Sequence, residues 1–312
     1  MSFSAQDVAK LREKTGAGMM ECKKALTETN GNIDKAAEIL RQKGIIAAAK
    51  KAEKSSEEGI VTALVSPDKK SGVILEINTQ TDFVARNESF LELTKTITNK
   101  ALENKPKNID ELLKLKAGNE TIADLISLNI SRIGENIKVR RLEIFELKNK
   151  NGVIGIYVHP VGNKIGVLVK LEINNNKVTC SEELTSIAKD LAMHIAASQP
   201  QPEFINKTEI PKDVIEKEKS IELGKEDLAN KPPEIKEKIV MGRLDKILAQ
   251  RCLLEQPFIK DQSVTVTKYL DEKSKSLGAE IKIVQFTRYN VGENLEHSGQ
   301  ENPKSPVCST KE

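Results

Sequence analysis

The sequence predicts an α+β fold with an amino-terminal three-helix domain, a two-lobed core of antiparallel sheets and helices, and a protruding antiparallel helical hairpin. Three observations carry this. Glycine-separated helical patterns fill the first 54 or so residues, a strand–turn–strand–helix order occurs twice, and a charged helical stretch with one narrow apolar seam is broken by Asn230-Lys231-Pro232-Pro233. A repeated order of elements constrains a fold more than any single propensity does.

Ser4-Ala5-Gln6-Asp7 is a capping-box-like start for a first helix, whose Val8 and Leu11 share a face and which stops at Thr15-Gly16-Ala17-Gly18. A second helix runs from Met19 to Thr29 and ends at Asn30-Gly31. Asn32 can cap a third, with Ile33, Ala36, Ala37 and Leu40 spaced as one buried stripe and Gly44 placed to close it. The Ala- and charge-rich segment 47–58 has no large apolar residue and reads as a helical or flexible linker.

Gly59 to Val65, the turn Ser66–Ser71 and the strand Gly72 to Asn78 form the first hairpin, followed by a helix from about Asn87. The order recurs as Gly152 to His159, the turn Pro160–Lys164, the strand Ile165 to Ile173 and a helix from Ser181 through Ala197. Between the copies, Ile122 to Ile130 reads as helix and Val139 to Phe145 as strand. From Thr208 to Ala249 the chain turns to charged helix. Its seam is Ile210, Val214, Ile221 and Leu228 before the proline turn, then Ile235, Ile239, Val240, Leu244 and Ile247. A helix from Ser263 to Leu277, an alternating strand at 280–286 and a polar tail expected to be disordered complete the chain. The expected domains are 1–54, 55–145, 146–207 with 250–290, the coiled-coil hairpin 208–249, and the tail 291–312.

Composition excludes several classes of function. With 49 Lys and Arg against 46 Asp and Glu, the net charge of +3 is too small for a surface built to hold nucleic acid. The amino terminus has no secretory signal pattern, and no stretch approaches the roughly 18 apolar residues of a membrane span, so a cytosolic protein is expected. Cys22, Cys180, Cys252 and Cys308 lie far apart without ligand spacing and read as reduced, structural thiols. Nucleotide-binding, zinc-hydrolase and nucleophile-elbow motifs are missing, so no catalytic, cofactor-binding or metal residue is assigned. Of the three histidines, His194 sits on an apolar helix face, His297 in the tail, and His159 ends a strand as a solvated turn or contact residue.

The two copies of the repeat differ where strand meets helix. The second uses an ordinary polar turn, 174–181, but the first uses Thr79-Gln80-Thr81-Asp82-Phe83-Val84-Ala85-Arg86-Asn87. Either Phe83 packs beneath the following helix with Asp82 as its cap, or it stands exposed beside a carboxylate as an interface anchor.

Leu11 to Leu26 and Thr81 to Asn87 resemble the two signature motifs of the elongation factor Ts family, and Ile133 to Ile137 with Arg140-Arg141 is similar to a third family segment. The resemblance spans about residues 1–290. It implies a ubiquitin-associated-like three-helix domain, a two-lobed core and a helical hairpin. It also implies nucleotide exchange on the GTPase elongation factor Tu. Arg12, Met19 and Met20 would dock on the nucleotide-binding domain, while Thr81, Asp82, Phe83 and Val84 would wedge between its helices and disturb its Mg²⁺ site. Ile133, Gly134 and His159 would add contacts, although the family's better-known members have Gly where Pro160 follows His159. A helical hairpin of this kind also offers a surface to a second copy of the chain. Two other readings stand beside this one. The first is an adaptor whose three-helix module binds small protein domains, and the second is a hydrolase in which Asp82 and His159 converge.

Overall fold

A computed structural model describes residues 3–15, 17–51, 55–175, 179, 181–228 and 231–293, of which the side chains of 45–51 are not described. The elements in order are α1 (Ala5–Thr15), α2 (Met19–Glu28), α3 (Ile33–Lys51), β1 (Glu58–Val65), β2 (Ser71–Thr79), α4 (Asp82–Ala85), α5 (Glu88–Asn104) and α6 (Ile109–Lys114). Then come β3 (Lys116–Ala117), β4 (Glu120–Thr121), α7 (Ile122–Ile133), β5 (Lys138–Glu146), β6 (Gly152–Val158), β7 (Ile165–Ile173) and α8 (Glu182–Ala197). The chain ends with α9 (Lys212–Leu223), α10 (Pro233–Arg251), β8 (Pro257–Phe258), β9 (Asp261–Thr265), α11 (Val266–Leu277) and β10 (Ile281–Asn290). This is the expected α+β class, with every sheet antiparallel. The chain forms two compact units, one ending at Ala196 and rejoined by Leu270–Gly292, the other Ala197–Tyr269. No described helix is long and apolar enough to cross a membrane.

In the first unit, Ser4 and Asp7 cap α1 reciprocally, with Asp7 Oδ2 accepting from the Ser4 N–H at 2.8 Å and Ser4 Oγ from the Asp7 N–H at 3.3 Å. Asn32 caps α3 by accepting the Lys35 N–H at 3.0 Å. Val8, Leu11, Cys22, Ala25, Leu26, Ala36 and Leu40 close the core of this three-helix module. Gly44 does not end α3, which continues to Lys51. Gly44 is buried on α7, where a Cβ would lie 3.7 Å from both Ser127 O and Ser131 Cβ. Tertiary packing along α7 therefore outweighs the roughly 1 kcal/mol a helical glycine costs.

The two copies of the repeat each contribute two strands to a three-stranded sheet, ordered β1-β2-β5 and β10-β7-β6. Glu58↔Thr79 to Val65↔Gly72 sets the first hairpin and Gly152↔Glu172 to Val158↔Gly166 the second. On the first sheet Val73, Leu75 and Ile77 of β2 bury against Phe90, Leu93 and Ile97 of α5 and Ile126 and Ile130 of α7. Val61, Ala63, Ile74 and Phe145 meet Ile154, Leu168 and Tyr289 between the sheets. Helix α8 lies so close to β6 that a Cβ on Gly155 would fall 2.6 Å from that of Ala188, a contact only glycine permits. His194 is buried in α8, as its apolar neighbours suggested.

In the second unit Glu218 reaches Arg251 at 3.1 Å and Glu222 reaches Arg243 at 3.7 Å, so α10 runs back along α9 as the proline turn predicted. Ile210, Leu244, Leu248 and Cys252 form its seam, with Val214 packed against it. Leu228 is not on the seam of α9. That helix stops at Leu223 because Gly224 follows, its N–H closing on Ser220 O and Ile221 O. Leu228 instead lies, fully buried, on a 3₁₀ turn. Ile221 and Ile235 are exposed. The helix expected from Ser263 begins at Val266, because Asp261 takes the Ser263 N–H and hydroxyl at 3.0 and 2.6 Å and Thr265 pairs with Pro257. Apart from Val291, Gly292 and Glu293, the expected tail lies outside the described residues, as do Cys180, Cys308 and His297.

Candidate partner-binding site

Strand β2 ends at Thr79, and two residues later Thr81 leaves extended backbone to cap α4, its hydroxyl accepting the Val84 N–H at 3.4 Å. One turn on, Asn87 caps α5 by accepting the Ser89 N–H at 2.9 Å. Two capped starts only six residues apart turn the chain sharply. Ala85 and the half-buried Val84 face the core, while Phe83 is left 83% exposed. The packed-beneath-the-helix alternative is not what forms, and the cap is Thr81 rather than Asp82. Asp82 bonds Arg86 at 3.2 Å, both side chains being solvent-accessible.

The loop is held from behind by a residue of the third motif. Glu135 accepts the Thr81 N–H at 3.0 Å and hydroxyl at 2.8 Å, and the Thr79 hydroxyl at 3.1 Å. Glu135 can reach because α7 ends one residue earlier on Gly134, whose φ of 92° is the left-handed cap that glycine supplies cheaply. Ile133 packs against the core and Gly134 is exposed. A capped loop on a charged anchor keeps an apolar ring in water at a fixed place, the kind of exposed apolar feature that marks interaction surfaces.

Arg12, Met19 and Met20 are exposed, the two methionines by 52% and 65%, on the outer faces of helices whose inner faces hold Leu11 and Cys22. His159 is exposed just past β6, its Nδ1 3.0 Å from the Tyr157 hydroxyl. Beside it Val161 is also exposed. Among the described residues no group of three or more His, Cys, Asp or Glu is placed to hold a metal ion. Cys22 and Cys252 are buried free thiols, and burial pushes Cys252 up to about 11, so it is an inert thiol at neutral pH.

Sequence reasoning named Ile133 and Gly134 but missed Glu135 as the loop's support, since nothing in its spacing reveals a bond across 54 residues. It also missed a buried charge cluster on β2, the strand that leads into the loop. Glu76, fully buried on β2, receives Arg140 at 2.9 Å, Arg141 at 2.6 Å and the Gly292 N–H at 3.1 Å. A bulge makes this possible: Glu76 pairs with Arg141 and Ile77 with Val139, so Arg140 is the extra residue and both arginines reach one carboxylate. Arg141 also stacks on Tyr289, 4.0 Å from the ring centre. Burial works to raise the Glu76 pKa, but the Gly292 N–H and the two arginines outweigh it and hold the carboxyl below its ordinary range.

Residues 80–293 match the family model described as Elongation factor TS. The chain is 42% identical over 297 residues to an elongation factor Ts of a Nostoc species and 45% identical over 295 residues to one of Clostridium botulinum, each alignment covering 94% of both chains. It is 40% identical over 313 residues to the elongation factor Ts of Syntrophotalea carbinolica, with both chains covered in full. A family model that matches more than half of the chain, together with relatives 40–45% identical over 94–100% of both chains, means that the chain belongs to the elongation factor Ts family.

Proposed function

We propose that this elongation factor promotes GDP release from elongation factor Tu and performs no bond chemistry of its own. The observation that carries the reading is Phe83, 83% exposed on a loop that Thr81, Asn87 and Glu135 hold in place. An apolar ring already ordered in water binds without paying to order itself first. Inserted between helices of the GTPase beside its phosphate site, Phe83, with Asp82 and Val84, would displace the groups that orient the bound Mg²⁺, and the nucleotide would lose part of its hold. Because the factor binds the nucleotide-poor GTPase better than the loaded one, linkage requires that it weaken the nucleotide.

Arg12, Met19 and Met20 give the three-helix module a face for the nucleotide-binding domain, the methionines adapting to an uneven surface. Gly134 and Ile133 back the wedge, and His159 serves the second lobe. The exposed Ile221, Ile235 and Met241 of the hairpin offer apolar surface to a second copy. A cytosolic factor that does not touch nucleic acid fits the near-balanced charge. Stopped-flow release of fluorescent GDP from elongation factor Tu tests the reading. Release should accelerate with the concentration of this protein, and an unchanged rate at micromolar concentrations of both would sink it.

A further inference from the structure

Helix α7 carries the three-helix module along most of its length, through α3, and leads at its carboxyl end into the residue that holds the Phe83 loop. Near its start, Asp124 closes the helix's capping box, accepting the Thr121 N–H at 3.1 Å and hydroxyl at 2.7 Å. The same carboxylate pairs with Arg41 of α3, the guanidinium reaching Oδ1 through Nε at 3.2 Å and Oδ2 through Nη2. Farther along, Gly44 of α3 faces α7, where a Cβ would sit at ordinary contact distance, 3.7 Å, from Ser127 O and Ser131 Cβ. At the other end, α7 caps on Gly134 and passes at once to Glu135, which holds Thr79 and Thr81. The helix has 12 residues, about 18 Å at 1.5 Å per residue, and α3 is seated on it from Asp124 to Ser131. Its inner face, Ile122, Ile126 and Ile130, is buried in the core, so it cannot shift freely.

We infer that α7 is a fixed spacer, with Arg41 and Asp124 as positioning residues that hold the three-helix module in one register with the Phe83 loop. This inference rests on the exchange reading and adds how its two contact patches act together. Two patches on one rigid support bind as one divalent surface, the second meeting its target at a high effective concentration set by the first. On a loose module each patch would have to find its own site. Neither positioning residue touches the partner in this arrangement, so their effect should fall on the concentration needed and not on the maximal rate.

The geometry supplies its own lock. A Cβ on Gly44 would lie 3.7 Å from that of Ser131, within the roughly 3.5–4.5 Å span of a disulfide. The full chain carrying Gly44→Cys and Ser131→Cys should therefore close an intramolecular disulfide on mild oxidation, seen as a reducible shift on a gel. Failure to close would overturn the docking. GDP release from elongation factor Tu is then measured with the oxidised and reduced forms. Equal activity supports the spacer; activity lost on oxidation and regained with reductant means that the module must undock, which overturns it. Arg41→Glu sets like charge against Asp124 and should raise the half-saturating concentration about fivefold or more without lowering the maximal rate. Adding the disulfide to that variant should restore wild-type behaviour. An unchanged half-saturation, or no rescue by the lock, would likewise overturn the inference. If the wild-type protein leaves GDP release unaltered, the exchange reading falls and the inference with it, whereas wild-type activity with a failed lock removes the inference alone.

Discussion

Glu135 accepts both donors of Thr81, the backbone N–H at 3.0 Å and the hydroxyl at 2.8 Å, and so ties the end of α7 to the loop that carries Phe83. A carboxylate taking two such bonds positions more firmly than one neutral hydrogen bond, because charge-assisted bonds are about twice as strong.

Glu135→Ala should therefore cost about 1–3 kcal/mol of stability, the usual penalty for leaving a partly buried donor unpaired. It should also slow GDP release from elongation factor Tu. The two effects separate in a double variant. If Glu135 acts through the loop, Glu135→Ala added to Phe83→Ala should slow exchange little further. Full additivity in exchange would show that Glu135 contributes by another route.

How much of this was legible in the sequence depends on the range of the interactions involved. Capping boxes and β-hairpins are written locally, so Ser4, Asn32 and the two strand–turn–strand repeats could be placed without coordinates. Gly44 misled because a glycine's local preference for ending helices gave way to the helix lying across it. Leu228 misled in the opposite way, since helical spacing was extended past Gly224, a local stop. Phe83 stood out in the sequence as an apolar residue in a polar turn, but its exposure depends on the caps on either side. Glu135 and the Glu76 cluster were invisible because their partners lie 54 to 216 residues away.

The Glu76 cluster predicts a particular acid sensitivity. Its folded pKa lies below the ordinary 4.5, so the stability it adds is present above that value and is lost as pH falls through the lowered folded pKa. Glu76→Gln should melt lower at neutral pH, by roughly 3 kcal/mol, the low end for breaking a buried pair, since Arg140 and Arg141 retain some contact with water. Below about pH 4.5 the wild-type advantage should shrink, because acid then protonates what the substitution has already neutralised. Melting curves of the two proteins that stay parallel down to pH 3 would refute the assignment.

The hairpin separates two apolar residues that look alike in sequence. Leu228 is fully buried and Leu228→Ala should cost about 2–5 kcal/mol in the transition of that unit. Ile221 is half exposed, and Ile221→Ala should stay within roughly 0.5 kcal/mol in dilute protein. If the hairpin pairs with a second copy, Ile221→Ala should also lower the apparent mass in analytical ultracentrifugation at high concentration. Deleting the hairpin should leave the first unit folded and exchange largely intact, whereas loss of all soluble protein would show that the hairpin is not separable.

Phe83 gives the sharpest test, because a ring that packed its own core and a ring that grips a partner fail in opposite ways. A buried phenylalanine cut to alanine costs roughly 3–5 kcal/mol, and the melting temperature falls by many degrees. At 83% exposure Phe83 has little core contact to lose, so Phe83→Ala should melt within about 0.5 kcal/mol of wild type. Its loss should appear instead in the complex, with affinity for elongation factor Tu weaker by roughly 2 kcal/mol and GDP release slowed accordingly. Asp82→Ala should act in the same direction, and with Phe83→Ala it should give a coupling energy above about 0.5 kcal/mol, since neighbours on one turn share a target. Normal exchange by a Phe83→Ala protein of normal stability would place the grip elsewhere on the molecule, while a large fall in melting temperature would mean that the ring is packed in solution.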